Sequence, residues 1–387
     1  WLTAFIGGAT AFIESTLAQI YKKRDKDGSS YGGPAFYMQT ALKQRWLGVI
    51  FSFLIIMIYA VGYNMLAAYN LQSTFAAFSF YDAGVTPKLI GLILAILFGV
   101  IVIGGAKRLV RVTAVMVPVM GVIYVLVSLL IMALNITTLP HMFAMIFKGA
   151  FDFPSIFGGF AGSCIMWGIK RGLYSNEAGM GSATQAAAVS DQDHPCEQGI
   201  MQSIGVFIDT VVICTLTGFI VAGGAIWENP NIDWSSIKYN KMATFVASIR
   251  ELTPGTALDS IVVIVVILAF GLFAFTCLLG MISFSEIAAN RIRKDKICIN
   301  IVRCIGLFVA AFGILCNIAG LELGNLWAFS DLGNILIVYF NVPIVYVGAK
   351  YVFRATRHYK KNDGTPFTSE IIGRNDCTYW DERAKKK

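Results

Sequence analysis

The chain has 387 residues, 56% of them hydrophobic and 14% charged, with a mean hydropathy of +0.67 and a formal charge of +8. A soluble core needs far less apolar material, so the solvent for most of this sequence is lipid. Its apolar runs reach the roughly 20 residues that a helix needs to cross about 30 Å of hydrocarbon, and the alternating segments of a β-barrel are absent, which predicts an all-α polytopic membrane protein.

In chain order, nine spans are expected, over residues 1–21, 47–80, 89–104, 112–134, 157–169, 200–226, 258–287, 299–318 and 326–353. The first starts at Trp1 with no basic segment ahead of it, unlike a signal peptide. Turn chemistry marks 81–88, with Pro87, and 227–255, with Asn-Pro and Thr-Pro-Gly, as loops, the second long enough to hold helices of its own. Residues 1–353 therefore form the transmembrane part. Residues 354–387 form a polar, basic cytoplasmic tail, expected to stay mobile or to lie on the anionic inner leaflet.

Alternating the loops between two sides puts 26 of the 31 Lys and Arg on one face: six in 22–45, three in 107–111, Lys170 and Arg171, five in 291–303 and ten from Lys350 onward. By the positive-inside tendency that face is cytoplasmic, so the charge reports topology and not nucleic-acid binding. Trp1 then falls near the outer surface, and at least one further span is expected before it.

Chemistry-bearing residues are sparse. The eight cysteines lack Cys-x-x-Cys spacing and mostly sit in apolar runs, which argues against a zinc site or a disulfide framework, and three scattered histidines form no metal pair. The Gly-Met-Gly-Ser of residues 179–182 lacks the third glycine of a dinucleotide fingerprint and the Gly-Lys of a phosphate loop, and no strand precedes it. Ser175 and Ser182 lack a local histidine, so catalysis is not expected.

Polar groups inside spans are the better signal. Glu14, Asp209, Asp331 and Glu286 are ionisable, Asp209 being the most deeply placed and Glu286 falling near a cytoplasmic boundary. Asp209 is open to two readings, a cation or proton ligand and a helix-to-helix hydrogen-bonding group. Asn64, Asn70 and Gln72 interrupt the second span, either as cross-helix hydrogen bonds or as the lining of a polar path. Glycines 158, 159, 162 and 168 weaken the span at 157–169, as a helix break would or as close small-residue packing would. Thr276 and Cys277 offer a hydroxyl and a thiol in an otherwise apolar helix.

The run KRGLYSNEAGMGSATQAAA at 170–188 resembles the signature stretch of the alanine/glycine:cation symporters, also called sodium:alanine symporters. WLTAFIG (1–7), YGGPAFYM (31–38), DTVVICTLTG (209–218), LAFGLFAFT (268–276) and NVP (341–343) are similar to family segments in the same order. The resemblance implies a LeuT-type fold of two inverted five-helix repeats, with this chain covering core helices two to ten and a glycine-broken first helix preceding it. It implies a substrate site at the break in core helix six, assigned to Gly158, Gly159, Phe160, Gly162 and Ser163, with Phe160 and Trp167 closing over the substrate. Asn64, Asn70 and Met281 would line the same pocket. Thr276 and Cys277 fall where the family offers two hydroxyls to sodium, although a thiol is a poor sodium ligand. Ser175, Asn176 and Glu177 would act as an inner gate, with Lys170 and Arg171 marking the cytoplasmic boundary. Met281 stands where many members have Trp, and Ala67 near a usual Gln.

The implied activity is sodium-coupled uptake of a small neutral amino acid across a bacterial inner membrane, with no cofactor beyond the coupling ion. A proton-coupled or exchange carrier for a larger amino acid, and a non-transporting membrane sensor, stay open beside it.

Overall fold

Long apolar stretches become long helices here, even across Pro118 and Pro343, and polar turns separate them. A computed structural model describes the chain except for residues 26–29, 79, 83, 152–162, 227, 234–240, 254, 256, 317–322, 362–363 and 386–387. Helix α1 (Leu2–Ile20) leads into a short antiparallel ladder in which Lys23 faces Tyr31 and Arg24 faces Ser30. Helix α2 (Pro34–Leu42) opens on a proline, whose missing N–H has no helical partner to lose at that position, and stops where Lys43 turns left-handed. Helix α3 (Arg45–Ile55) passes through a π-helical stretch, Ile56–Tyr63, into α4 (Asn64–Thr74).

Then come α5 (Thr86–Ile103), α6 (Ala106–Leu134), α7 (Leu139–Ala150), α8 (Ser163–Asn176) and the short α9 (Ala183–Val189). Helix α10 (Pro195–Phe207) continues through a second π stretch, Ile208–Ile213, into α11 (Cys214–Gly224). Helices α12 (Lys241–Leu252), α13 (Ala257–Ile292), α14 (Lys296–Leu315), α15 (Leu323–Lys361) and α16 (Thr378–Ala384) complete the chain.

Among the described residues, seven helical spans are long and apolar enough to cross a membrane, from Arg45–Thr74 to Gly324–Lys361, and each coincides with an expected one. The protein is an all-α, multi-pass membrane protein. The expected span at 1–21 is helical as α1, but its second half carries Glu14, Ser15, Thr16 and Gln19, all buried, because α1 lies inside the bundle. The expected span at 157–169 falls partly outside the described residues. Half of the most apolar window is buried in both Arg45–Thr74 and Asp259–Ile292, against 22% in Arg108–Leu134, so the first two are central and α6 is peripheral. Outward residues of α6 such as Val115, Val119, Val122 and Leu126 are exposed and suit a lipid face.

Most of the basic segments gather at one end of the bundle, and the C-terminal segment packs there. This corrects the expectation of a mobile tail. Helix α15 runs unbroken past residue 353 to Lys361, and Phe367, Ile372, Tyr379 and Trp380 are buried in one cluster with Leu17 and Tyr21. Trp380 Nε1 donates to the Gln19 carbonyl at 2.7 Å, and Arg374 donates to the Thr40 carbonyl at 3.0 Å. Arg383 pairs with Asp191 and, at 2.9 Å, with Asp193. A tail low in aliphatics still docks because these aromatic rings supply large apolar area and polar tips that find partners. Lys22 is buried beneath it, its Nζ 4.2 Å from the Tyr379 ring and 2.9 Å from the Ser190 carbonyl; burial pushes its pKa down to about 8. His194 Nε2 lies 3.2 Å from His358 Nδ1, and burial, with His358 adding to it, pushes the His194 imidazole down to about 4.

Candidate functional site

Helix α1 is a ruler for depth in the bundle. Gly172 abuts Thr3, a Cβ on Gly7 would stand 2.8 Å from Asn176 Nδ2, one on Gly179 would stand 3.8 Å from Thr10, and Gln19 Nε2 donates to the Ala187 carbonyl at 2.5 Å. Residues 172–187 thus run parallel to α1. Arg171 lies at the end away from the basic face, about 27 Å along the helix axis from Tyr21 at 1.5 Å per residue.

This placement corrects the boundary drawn at Lys170 and Arg171. Arg171 pairs with Asp331 at 3.0 Å, Lys170 approaches the same carboxylate at 3.8 Å, and the Arg171 guanidinium stacks 4.4 Å from the Trp327 ring. A charge with a partner is held by that partner, and a count of loop charges does not see the pairing. By the same ruler Asn176 lies about 21 Å from Tyr21, so Ser175, Asn176 and Glu177 sit in the half of the bundle away from the basic end.

Between α8 and α9 the chain is broken. Glu177 (φ 51°), Gly179 (φ 85°) and Gly181 (φ 77°) are all left-handed, and the Asn176 carboxamide oxygen accepts from the Ala178 N–H at 3.1 Å. At Gly181 a side chain would also run into Pro34, so only glycine fits. Ser182 Oγ donates to Glu177 Oε2 at 2.5 Å, closing the turn on itself.

A buried polar network grips this break from three helices. Asn341 Nδ2 donates to Glu14 Oε2 at 3.0 Å and to the Gly179 carbonyl at 2.9 Å, while the Tyr37 hydroxyl donates to Asn341 Oδ1 at 2.5 Å. Asn341 is fully buried two residues before Pro343 in α15. On the other side, Ser175 Oγ donates to Asp209, which lies in the π stretch of α10–α11 and also accepts from Thr210 at 3.3 Å. The helix-to-helix reading of Asp209 therefore has its partner. Rings climb from Phe284 through Tyr59, Tyr63 and Tyr174 to Trp327, with successive centroids 5.0–5.6 Å apart.

Among the described residues, several buried atoms on this side lack a hydrogen-bonding partner: Tyr63 OH, Arg171 Nη1, Trp327 Nε1, Ser330 Oγ and Asn334 Oδ1. Buried polar atoms are nearly always satisfied, so a cluster of unsatisfied donors and acceptors beside a broken helix is suited to a small polar solute or water.

The remaining sequence-derived residues separate. Asn64 Nδ2 donates across to the Gly306 carbonyl at 2.7 Å, the cross-helix role. Asn70 is half-buried and its carbonyl accepts from Thr74 at 2.9 Å. Thr276 is buried, with its hydroxyl donating to its own helix at the Phe273 carbonyl (2.9 Å) and lying 3.8 Å from Met120 Sδ, whereas Cys277 is exposed. Met281 packs between two apolar clusters, Trp167 is exposed with its ring 5.1 Å from Arg171, and Glu286 pairs with Arg303 at 2.7 Å. Gly158, Gly159, Phe160 and Gly162 lie outside the described residues, as does the side chain of Ser163. Sequence reasoning missed Tyr37, Tyr59, Tyr63, Trp327 and Asn341. Asn341 had a signal, an amide in an apolar span next to a helix-bending proline.

A bundle of membrane-crossing helices around a broken helix at mid-depth is the architecture of a membrane transporter. Residues 1–370 match the sodium:alanine symporter family, and the chain belongs to it. It is 36% identical over 362 residues to the Bacillus subtilis protein named probable sodium/glutamine symporter GlnT, covering 93% of this chain and 71% of that one. It is 34% identical over 391 residues to the amino-acid carrier protein AlsT of the same species, covering 100% of this chain and 79% of that one. Against the sodium/alanine symporter AgcS of Methanococcus maripaludis it is 39% identical over 230 residues, 57% of this chain and 49% of that one. The protein is a transporter and not an enzyme.

Proposed function

We propose that this chain carries a small neutral amino acid of the alanine and glycine class into the cell together with sodium, by alternating access across a bacterial inner membrane, within a LeuT-type arrangement of inverted repeats. The observation that carries the reading is the break at residues 177–182, whose left-handed turns take backbone N–H and C=O groups out of the helical ladder at mid-depth. Freed backbone groups suit both ends of a zwitterion. The unpaired Tyr63 hydroxyl and Trp327 N–H above the break add donors.

The Arg171–Asp331 pair closes the outer side of this site, and its opening admits the substrate. Thr276, at the middle of α13, supplies a hydroxyl oxygen for sodium alongside backbone carbonyls. The ion stabilises the closed state only to the extent that it binds that state more tightly. A larger cargo is the second reading, supported by Met281 in place of a ring and by the relative named for glutamine.

The test is uptake of labelled alanine, glycine and glutamine into proteoliposomes with and without an inward sodium gradient. Gradient-driven alanine or glycine uptake supports the proposal and glutamine preference selects the second reading. Uptake indifferent to sodium removes the coupling, and no uptake of any amino acid removes the function.

A further inference from the structure

At the basic end, the β ladder, α2 and the last turn of α13 enclose a cavity of about 230 Å³, away from the break and independent of the transport reading. Its walls include Lys23, Asp25, Tyr31, Phe36, Arg291 and Lys294. Three cations face one carboxylate. That carboxylate is engaged, because Lys294 Nζ donates to Asp25 Oδ1 at 2.7 Å while lying 4.6 Å from the Tyr31 ring centroid.

Arg291 is different. Its guanidinium lies 5.8 Å from the Phe36 ring, and its Nε and Nη2 are buried without any hydrogen-bonding partner. Those two nitrogens form one edge of the guanidinium fork, the edge that meets two oxygens of one anion side by side. Leaving two charged donors dry is costly, and nothing in the described walls accepts from them. The cavity lies at the end of the bundle where the basic segments gather, the end that the positive-inside tendency makes cytoplasmic.

We infer that this cavity binds a phosphate group, screened by Lys294 and Lys23 and held bidentately when the Arg291 side chain turns its buried Nε–Nη2 edge into the cavity. The phosphate belongs either to an anionic phospholipid or to a free phosphate in the cytosol. The occupant would tie α13 to α2, whose Tyr37, next to Phe36, holds Asn341 at the break.

The experiment uses the full chain, purified and delipidated, with thermal unfolding read in two arms. One compares nanodiscs of phosphatidylcholine with and without phosphatidylglycerol. The other titrates inorganic phosphate against chloride at equal ionic strength in phosphatidylcholine alone. Stabilisation in the first arm only identifies the lipid headgroup, and stabilisation in the second identifies a free phosphate. Arg291→Gln should weaken either effect at least about tenfold, the loss expected when a charge-assisted fork is removed. Arg291→Lys, which keeps the charge without the fork, should weaken it less. Arg293→Gln, an exposed neighbour paired with Asp295, should change nothing. No stabilisation in either arm, or equal weakening by the Arg291 and Arg293 variants, overturns the site.

Discussion

The break at 177–182 and the docked segment from 364 to 385 are both polar stretches between or beyond oily helices, yet the bundle treats them in opposite ways. The break is built around Ala178, Gly179, Gly181 and Ser182 and is held from outside, by Asn341, Glu14, Tyr37 and Pro34. The C-terminal segment brings its own anchors, Phe367, Tyr379 and Trp380, and inserts them into the basic end. Polar chain enters a membrane protein's interior when other helices satisfy it, and caps the end when its rings supply the apolar area. The first arrangement suits motion around a ligand, and the second suits fastening.

Substitutions should separate the two. Trp380→Ala removes a fully buried ring and the bond to Gln19, and should cost the docked segment about 4 kcal/mol. Amide exchange at 369–384 should rise to near that of free chain while exchange in α8 stays slow; protection unchanged at 369–384 would mean the ring is not the anchor. Gly181→Ala forces a left-handed alanine against Pro34, costing about 3 kcal/mol in strain and overpacking. Here uptake should be lost while the tail stays protected, and normal uptake would show that the break does not need its shape.

A smaller effect is expected at the outer side. Asp331→Asn removes a partly exposed pair worth about 1 kcal/mol, so the uptake rate should change by roughly fivefold with substrate preference kept. A switch in preference at constant rate would place Asp331 in the pocket.

The smallest is a pH dependence of the docked end. Burial in the docked form holds the His194 imidazole down at about 4, against an ordinary 6.5, so the undocked form binds more protons between those values. Its contribution is complete above about 6.5 and is lost as pH falls towards about 4. Amide protection in 364–384, taken relative to the intrinsic exchange rate at each pH, should fall between pH 7.5 and 5, and His194→Asn, whose carboxamide oxygen can replace the Nδ1 that accepts the Cys196 N–H at the start of α10, should flatten the slope. An equal slope in the variant would assign the effect elsewhere.

Much of this was legible in the chain. Seven spans, the loop at 81–88 and the intramembrane carboxylates follow from hydropathy, turn residues and the expense of burying charge, while 170–188 is marked by its resemblance to the family signature. What misled was treating Lys170 and Arg171 as solvated, when Asp331 and Trp327 hold them at the opposite end. The break that glycine density and the family resemblance imply at 158–163 lies largely outside the described residues. The described break owes its form to three left-handed residues, one of them Glu177, and no composition rule points to a left-handed glutamate.

By itself the sequence determined the solvent, the class and the family, because each rests on local composition or on contiguous motifs. The tertiary structure decided the depth of the break, the partners of Arg171 and Asp209, and the docking of the C-terminal segment. Those depend on contacts between residues far apart in the chain: Asn341 meets Glu14 across 327 positions and Trp380 meets Gln19 across 361. A hydrogen bond of that kind exists only once the helices have packed, and no window along the chain contains both of its ends.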